Sequence, residues 1–541
     1  MWTNPESVRR AAAALLTELA ADDLGQVTAS HYETARLVTL APWLAGHGAR
    51  VEYLRRNQQA DGGWGGPAGY GLVPTLAAVG AVLVELHRTG GRGQRRRLAR
   101  VAVRGMAALQ RRLGPGAEPE PRPPLVGADL IVPALLDELR EAAARGRDNP
   151  YLADLPSGVV DRMPLPAGTD RRLLDQARTR LVARDLPQHW WPCLDVLGPA
   201  AVANPSVRAR AGAVGCSPAA TAAWLGGASG DRSALAYLDR VQSRGGGPVP
   251  PVSPVTYLEA AWVLNSISVG GLTPPVPPRL LLRLEAGLTD QGAPPAPGLP
   301  VDCDHTAGVL SALLRHGRIH TPDRLLDFRS GGRFGGGAGD GGEPVSTNAH
   351  VLEAFALYLT HRPAARSRFA APTEMAAGWL LDRQHPDGCW WDDRHASPYY
   401  PVGAALLALL LHDGGRYRDA IDRAVAWLCD TQRPDGSWGR WQGTVEETGY
   451  AVQALAKAAP VSAAAAIGRG CRYLAGQPQH PEHPPMWHGK DLYAPLTVIH
   501  SARLAALHLG SRLGHVPAPR LGERPAGTGD VPPVPDQDHN A

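Results

Sequence analysis

The residues best suited to chemistry are two aspartates set two apart, Asp302 and Asp304, with Cys303 between them and His305 after. They stand at the head of an apolar run, Thr306-Ala307-Gly308-Val309-Leu310. Three readings fit these residue types. A carboxylate ahead of a helical run can cap the helix by accepting from free backbone N–H groups. Asp302, Cys303 and His305 offer three donor types to a metal, although zinc sites draw their ligands from separated segments. Two carboxylates in an apolar cavity share protons instead. Like charge pushes one pKa up and keeps a neutral, acidic COOH at hand.

Other groups carry chemical promise. Lys490 and Lys457 are the two lysines among 55 basic residues. A lysine kept where arginine is the rule suggests a point-charge role. Trp390, Trp391, Tyr399 and Tyr400 offer π faces that stabilise cations without quenching them. The run Trp391-Asp392-Asp393-Arg394-His395 has an Asp pair but no acid three residues on, so no D-D-x-x-D motif is convincing there. The six cysteines form no C-x-x-C pair, which argues for reduced cytosolic thiols rather than a zinc knuckle or disulfide scaffold.

The elements that must position these groups are helical. The chain has 541 residues, enough for two or three domains. A hydrophobic share of 44% and a charged share of 20% exclude global disorder, and a net charge of +4 is too small for a nucleic-acid footprint. Apolar residues recur three and four apart over 8–19, 74–87, 98–113, 349–359, 371–383, 402–412, 418–431, 445–458 and 496–509. Thr3 or Asn4 would cap the first helix ahead of Pro5. The segment 402–411 is apolar nearly all round, as in the inner ring of a helical barrel. The fold class is all-α. Pro/Gly clusters break the helices at 114–124, 245–254, 292–300 and 330–344, the last a candidate lid. From 511 to 541 the chain reads as a disordered tail. No run of about 18 apolar residues predicts a spanning helix. Peripheral membrane contact remains open, and a cytoplasmic location is expected.

One motif repeats. Gln58-Gln59-Ala60-Asp61-Gly62-Gly63-Trp64 recurs as Gln384-His385-Pro386-Asp387-Gly388-Cys389-Trp390 and as Gln432-Arg433-Pro434-Asp435-Gly436-Ser437-Trp438. The parts suggest a staple. Gly permits the turn, Asp caps the next helix, Trp covers helix ends and Gln satisfies orphan backbone groups.

These Q-x-x-D-G-x-W repeats resemble the QW motifs of triterpene cyclases and bacterial class II diterpene cyclases, in the squalene-hopene cyclase superfamily. Further segments match in family order over about residues 31–495. They are Tyr32-Glu33-Thr34-Ala35, Ser217-Pro218-Ala219-Ala220-Thr221-Ala222, Ser346-Thr347-Asn348-Ala349-His350-Val351, Glu446-Glu447-Thr448-Gly449-Tyr450 and Trp487-His488-Gly489-Lys490-Asp491-Leu492-Tyr493. Asp302-Cys303-Asp304-His305 resembles the family's D-x-D-D motif, with His305 where the last Asp usually stands.

The resemblance implies two α/α barrel-like domains. Residues 1–29 would give an N-terminal helix belonging to a β domain, 30–225 a γ domain, and 226–510 the rest of the β domain. It implies protonation-initiated cyclisation of geranylgeranyl diphosphate, with the diphosphate retained and Mg²⁺ assisting. By position Asp304 would be the general acid, Asp302 its electrostatic partner, Asn348 the group that hydrogen-bonds the acid, and His305 a group that recharges or stabilises it. Lys490 and Arg104 would bind diphosphate. Trp390, Trp391 and Tyr399 would line the cavity. The residues after the first QW motif, 65–78, lack the acids and Arg that relatives link to Mg²⁺ and diphosphate, which leaves the metal site unread: weak, relocated upstream to Asp22, Asp23 and Glu33, or absent. Farnesyl diphosphate as a shorter substrate, a prenylated arene, and a non-catalytic isoprenoid-binding barrel are the rivals. A downstream class I terpene synthase or tailoring enzyme is the expected pathway partner.

Overall fold

Every segment picked out by three-and-four spacing is helical in the computed structural model, which describes residues 5–514 apart from 115–116, 118–119, 121, 147–148, 154–157, 159 and 336–343. The caps expected at Thr3 or Asn4, most of the candidate lid, and nearly all of the expected tail lie outside the described residues. The first half carries α1 (Pro5–Ala21), α2 (His31–Leu40), α3 (His47–Arg56), α4 (Leu72–Arg88), α5 (Arg92–Leu113), α6 (Ala128–Arg145), α7 (Arg172–Val182), α8 (Pro218–Leu225) and α9 (Arg232–Arg244). The second half carries α10 (Thr256–Val269), α11 (Pro278–Gly287), α12 (Cys303–Arg315), α13 (Val345–His361), α14 (Arg366–Asp382), α15 (Tyr399–Asp413), α16 (Arg418–Asp430), α17 (Val445–Ala458), α18 (Ala464–Gly476) and α19 (Leu496–Arg512). Short polar side chains start several of them. Ser30, Ser217, Asp231, Asp302 and Thr444 each accept a backbone N–H three residues on.

Two closed rings result. In the larger, α10 packs on α12, α12 on α13, α13 on α15, α15 on α17, α17 on α19, and α19 back on α10. The remaining helices of this half lie outside it: α11 against α10, α14 against α13, α16 against α15 and α17, and α18 against α17 and α19. α1 joins this outer layer on α19. The smaller ring runs from α2 to α4 to α6, through the 3-10 helix Gln188–Val196 to α8, and back to α2. α13 and α15 are buried nearly all round, as inner helices must be.

The chain enters the smaller ring and leaves it at one place. Val255 N–H donates to Leu24 O, and Ser30 N–H to Val249 O. The segment 26–28 also pairs with 494–496: Thr28 N–H donates to Ala494 O at 3.1 Å and Leu496 N–H to Gln26 O at 2.8 Å. The expected division at 225 falls short of this point. α9 lies beyond it yet packs on α8, its Tyr237, Leu238 and Val241 sharing a core with Leu37 and Leu225 of the smaller ring.

The three repeats have one geometry. Gln58, Gln384 and Gln432 each donate from Nε2 to the carbonyl four residues on and to a carbonyl of the second helix on, at Val101 of α5, Ala420 of α16 and Ala466 of α18. Trp64, Trp390 and Trp438 are fully buried, and each Nε1–H donates to the preceding helix at Leu54, Leu380 and Leu428. Gly62, Gly388 and Gly436 hold positive φ and leave no room for a Cβ against the backbone of Arg104, Arg423 and Arg469. The aspartates differ from expectation: each accepts from the N–H two residues on, inside its own loop, and none caps the next helix.

Candidate active site

α12 begins at the D-x-D-H segment. Asp302 is its cap, accepting from His305 N at 2.8 Å and from His305 Nδ1 at 2.8–2.9 Å. Asp302 is thus engaged by His305, whose Nε2 is buried without a partner. Asp304 is the second residue of α12, buried in its first turn, where the partial positive end of the helix favours a carboxylate. It faces across to α13, and His350 Nδ1 lies 2.7 Å from its Oδ1. His350 Nε2 lies 3.4 Å from the Tyr400 hydroxyl, which accepts from Trp262 Nε1 at 2.7 Å. Trp262 stands edge-on to His350 with centroids 5.2 Å apart, and tilted to His305 at 5.4 Å. α10, α12, α13 and α15 thus deliver one side chain each to a single cluster at one end of the larger ring. Trp487, His395 and Tyr450 extend its aromatic wall around Tyr400 at 5.1–5.2 Å. A cavity lined by Trp262, His350, Tyr400, Tyr450 and Gln453 continues from the cluster into the ring.

The electrostatics invert the expected carboxylate pair. Burial pushes the Asp304 carboxyl up, but the His350 charge and hydrogen bond, with His305 and Arg394 behind them, hold it well below the usual carboxylate range. Burial pushes His350 down, and Asp304 outweighs it, so the imidazole is raised. The carboxyl raised by burial, with the Asp304 charge adding to it, is Asp392. Asp392 accepts from Ser346 N–H at the head of α13, and its Oδ2 is buried without a partner. The Asp pair in the sequence that lacked a third acid therefore contributes a second buried acid to the cluster.

Several expected site residues stand elsewhere. Asn348 does not reach Asp304. Its Oδ1 accepts from Phe334 N–H at 3.0 Å, and its Nδ2 donates to Phe334 O and Pro344 O. It pins the hairpin of β1 (Arg329–Ser330) and β2 (Arg333–Phe334) at the root of the glycine-rich loop. His350, two residues on and about 200° round the helix, meets the acid instead. Lys490 is not open to a ligand. It sits next to the hairpin of β3 (Trp487–His488) and β4 (Leu492–Tyr493), 3% exposed, and donates to Glu33, to Ser217 Oγ at 2.8 Å and to Pro192 O at 2.7 Å, with Asp195 at 3.5 Å. Its three protons are spent on joining the two rings. Arg104 donates to Gln59 O and Ala60 O and so holds the first QW loop. Trp390 belongs to the second QW staple, and Tyr399 packs on Trp427 at 5.0 Å beside the third. Trp391 alone of the expected aromatics is open, 38% exposed. The sequence held a signal for His350: it is the one ionisable residue in the first two turns of α13, and such a group in a buried helix must be paired.

No donor set fits Mg²⁺ among the described residues, where no group of three His, Cys, Asp or Glu could hold a metal. Asp22 and Asp23 are paired with Arg244 and Arg240, and Glu33 with Lys490. Asp61 and Glu120 flank Arg112.

The squalene-hopene cyclase C-terminal domain matches residues 344–490. An ent-copalyl diphosphate synthase of Streptomyces sp. (strain KO-3988) is 40% identical over 94% of this chain and 98% of its own. A labda-7,13-dienyl diphosphate synthase of Streptomyces clavuligerus is 35% identical over 95% of each. The solved ent-copalyl diphosphate synthase of Streptomyces platensis superposes with a TM-score of 0.87 at 44% identity, covering 93% of this chain and 99% of that one. With a helical two-ring fold, three QW staples and a buried acid at the head of α12, the chain belongs to the bacterial class II diterpene cyclases.

Proposed function

We propose that the protein converts geranylgeranyl diphosphate to a labdane-type bicyclic diphosphate, with Asp304 protonating the terminal alkene. The observation that carries this is the Asp304–His350 pair, buried against Trp262 and Tyr400 at the mouth of the larger ring. An alkene is a very poor base, so its acid must be strong, and a strong acid is one whose conjugate base is stabilised. His350 does that by donating to the Asp304 carboxylate. The proton leaves the loaded Asp304 for the alkene carbon, and its electron pair stays on the carboxylate. The π electrons form the new C–H bond and leave a tertiary cation. Successive alkenes close two rings, and loss of a C–H proton restores a double bond. One proton enters and one leaves, so product and substrate are isomers and the diphosphate is untouched. The π faces of Trp262, Tyr400 and Trp487 stabilise cation along this path without forming bonds to it. The chain is thus an intramolecular lyase. We place it in the cytoplasm, with its product passed to an ionisation-initiated synthase or a tailoring enzyme. Among the described residues no helix is long and apolar enough to cross a membrane.

The test is one incubation with Mg²⁺ and, separately, geranylgeranyl and farnesyl diphosphate, then phosphatase and gas chromatography–mass spectrometry. A cyclic C20 alcohol isomeric with geranylgeraniol, absent with a folded Asp304→Asn protein, is expected. Only linear alcohols from both substrates would sink the reading.

A further inference from the structure

The loop between α16 and α17 carries a cation with no acid to answer it. The Arg440 guanidinium lies between two indoles, 5.0 Å from the Trp391 ring centroid and 4.9 Å from that of Trp441. One of its nitrogens donates to Ala396 O. Among the described residues no carboxylate forms an ion pair with it. Tyr70 of the smaller ring closes the far side, edge-on to Trp441 at 5.8 Å. Its hydroxyl is fixed: His488 Nδ1 lies 2.8 Å from Asp393 O and so carries the proton, leaving Nε2 to accept from Tyr70 at 2.9 Å. Burial, with Arg394 and Arg440 adding to it, holds His488 down at about 4, so it is neutral.

This cluster is at the seam of the two rings, at the end where Asp304 lies. Trp391 precedes Asp392, which is bonded to the first turn of α13, and Arg394 acts on Asp304 itself. Trp391 keeps much of its surface open there. The lysine expected to hold the head group is neutralised by buried carboxylates. Arg440 has the opposite character: among the described residues it has neutral hydrogen-bond partners, Ala396 O and the Tyr70 side chain, and no carboxylate, and it is planar and held in one orientation before anything binds. A guanidinium fork matches two phosphate oxygens, and flanking indoles keep it flat and shed water from its faces.

Resting on the cyclase reading above, we propose that Arg440, clamped between Trp391 and Trp441, is the anchor for the substrate's diphosphate at the seam. Tyr70, from the smaller ring, limits the space on the other side. The anchor and the acid then grip opposite ends of one prenyl chain.

Two readouts test this. The first is binding of inorganic diphosphate to the full-length protein by titration calorimetry, which needs no turnover. The second is steady-state kinetics with geranylgeranyl diphosphate. Arg440→Ala should weaken diphosphate binding and raise KM by about 10- to 100-fold, as expected for lost hydrogen bonds to a charged group, with a smaller change in kcat. Arg440→Lys should recover part of the affinity, since it restores charge but not the fork. Trp391→Ala should raise KM in the same direction by loosening the clamp. Asp304→Asn should bind diphosphate as the wild type does. Unchanged diphosphate binding and KM in Arg440→Ala would overturn the anchor and leave the role of Asp304 standing. Arg440-dependent diphosphate binding without turnover of any prenyl substrate would support the anchor while the cyclisation reading fails. If Arg440→Ala does not fold, Arg440→Lys and Trp391→Ala decide the matter by the same KM shift.

Discussion

Asp304 owes its acidity to a neighbour that chain order does not reveal. The sequence marked the acid, because two aspartates ahead of an apolar helix stand out. It marked His350 only as a buried group in need of some partner and did not say that the partner is Asp304, because which face of α13 meets α12 is settled by packing between helices. Asn348 and His350 are two residues apart and point to different places. Their substitutions should therefore separate. His350→Asn removes the main downward pull on Asp304, so burial wins and the carboxyl rises. A higher pKa means a weaker acid, and kcat should fall by about 10²- to 10⁴-fold, the range for a general acid group. The fraction of loaded acid should also persist to higher pH, so the alkaline limb of the kcat profile, where the acid loses its proton, moves to higher pH. Asn348→Ala should leave kcat nearly intact and cost about 1–3 kcal/mol of stability, through the unpaired backbone of Phe334. Kinetics over a pH series and urea unfolding distinguish the two. The Lys490 expectation failed for a similar reason. A rare lysine signals a special charge, yet only the fold shows that Glu33 and Asp195 already own it.

Helices were legible because a 3.6-residue period leaves its mark in every turn, and the segments read from it are all helical. Staples were legible because three copies of one motif show which residues must share a role. What spacing could not supply was the partner of each Asp, which turned out to be the N–H two residues on rather than the next helix. Trp438 fills the join of α16, α17 and α18, touching Leu428 by hydrogen bond and standing against Gly470. Trp438→Ala should cost about 3–5 kcal/mol, as large-to-small changes in a core do. Gln432→Ala, which frees Gly436 O and Ala466 O, should cost about 1–3 kcal/mol. Both should leave product identity unchanged in the activity that remains. Chemical unfolding with product analysis checks this.

The rings are joined by charge. Lys490, from the larger, lies among Glu33, Asp195 and the Tyr32 ring, and Asp195 in turn binds Arg36, which binds Glu138. Lys490→Met leaves two buried carboxylates short of their cation and should cost about 3–5 kcal/mol. KM for the prenyl diphosphate should hold in the folded fraction, opposite to the expectation for Arg440. Thermal melts beside kinetics read both. Ring membership was partly legible, but α9 shows the limit: an amphipathic helix has the same pattern whichever neighbour it packs on. The pairing of segment 26–28 with 494–496 and of α1 with α19 bears on how such a chain comes to exist. α1 leaves the ribosome first among the described helices and its partner last. The smaller ring lies wholly between them, its two ends side by side, so it can fold while synthesis continues. The larger ring cannot close until α19 emerges, and α1 must wait with an apolar face uncovered. Contacts of such long sequence separation form slowly. During that wait the nascent chain is most exposed to aggregation and most in need of a chaperone.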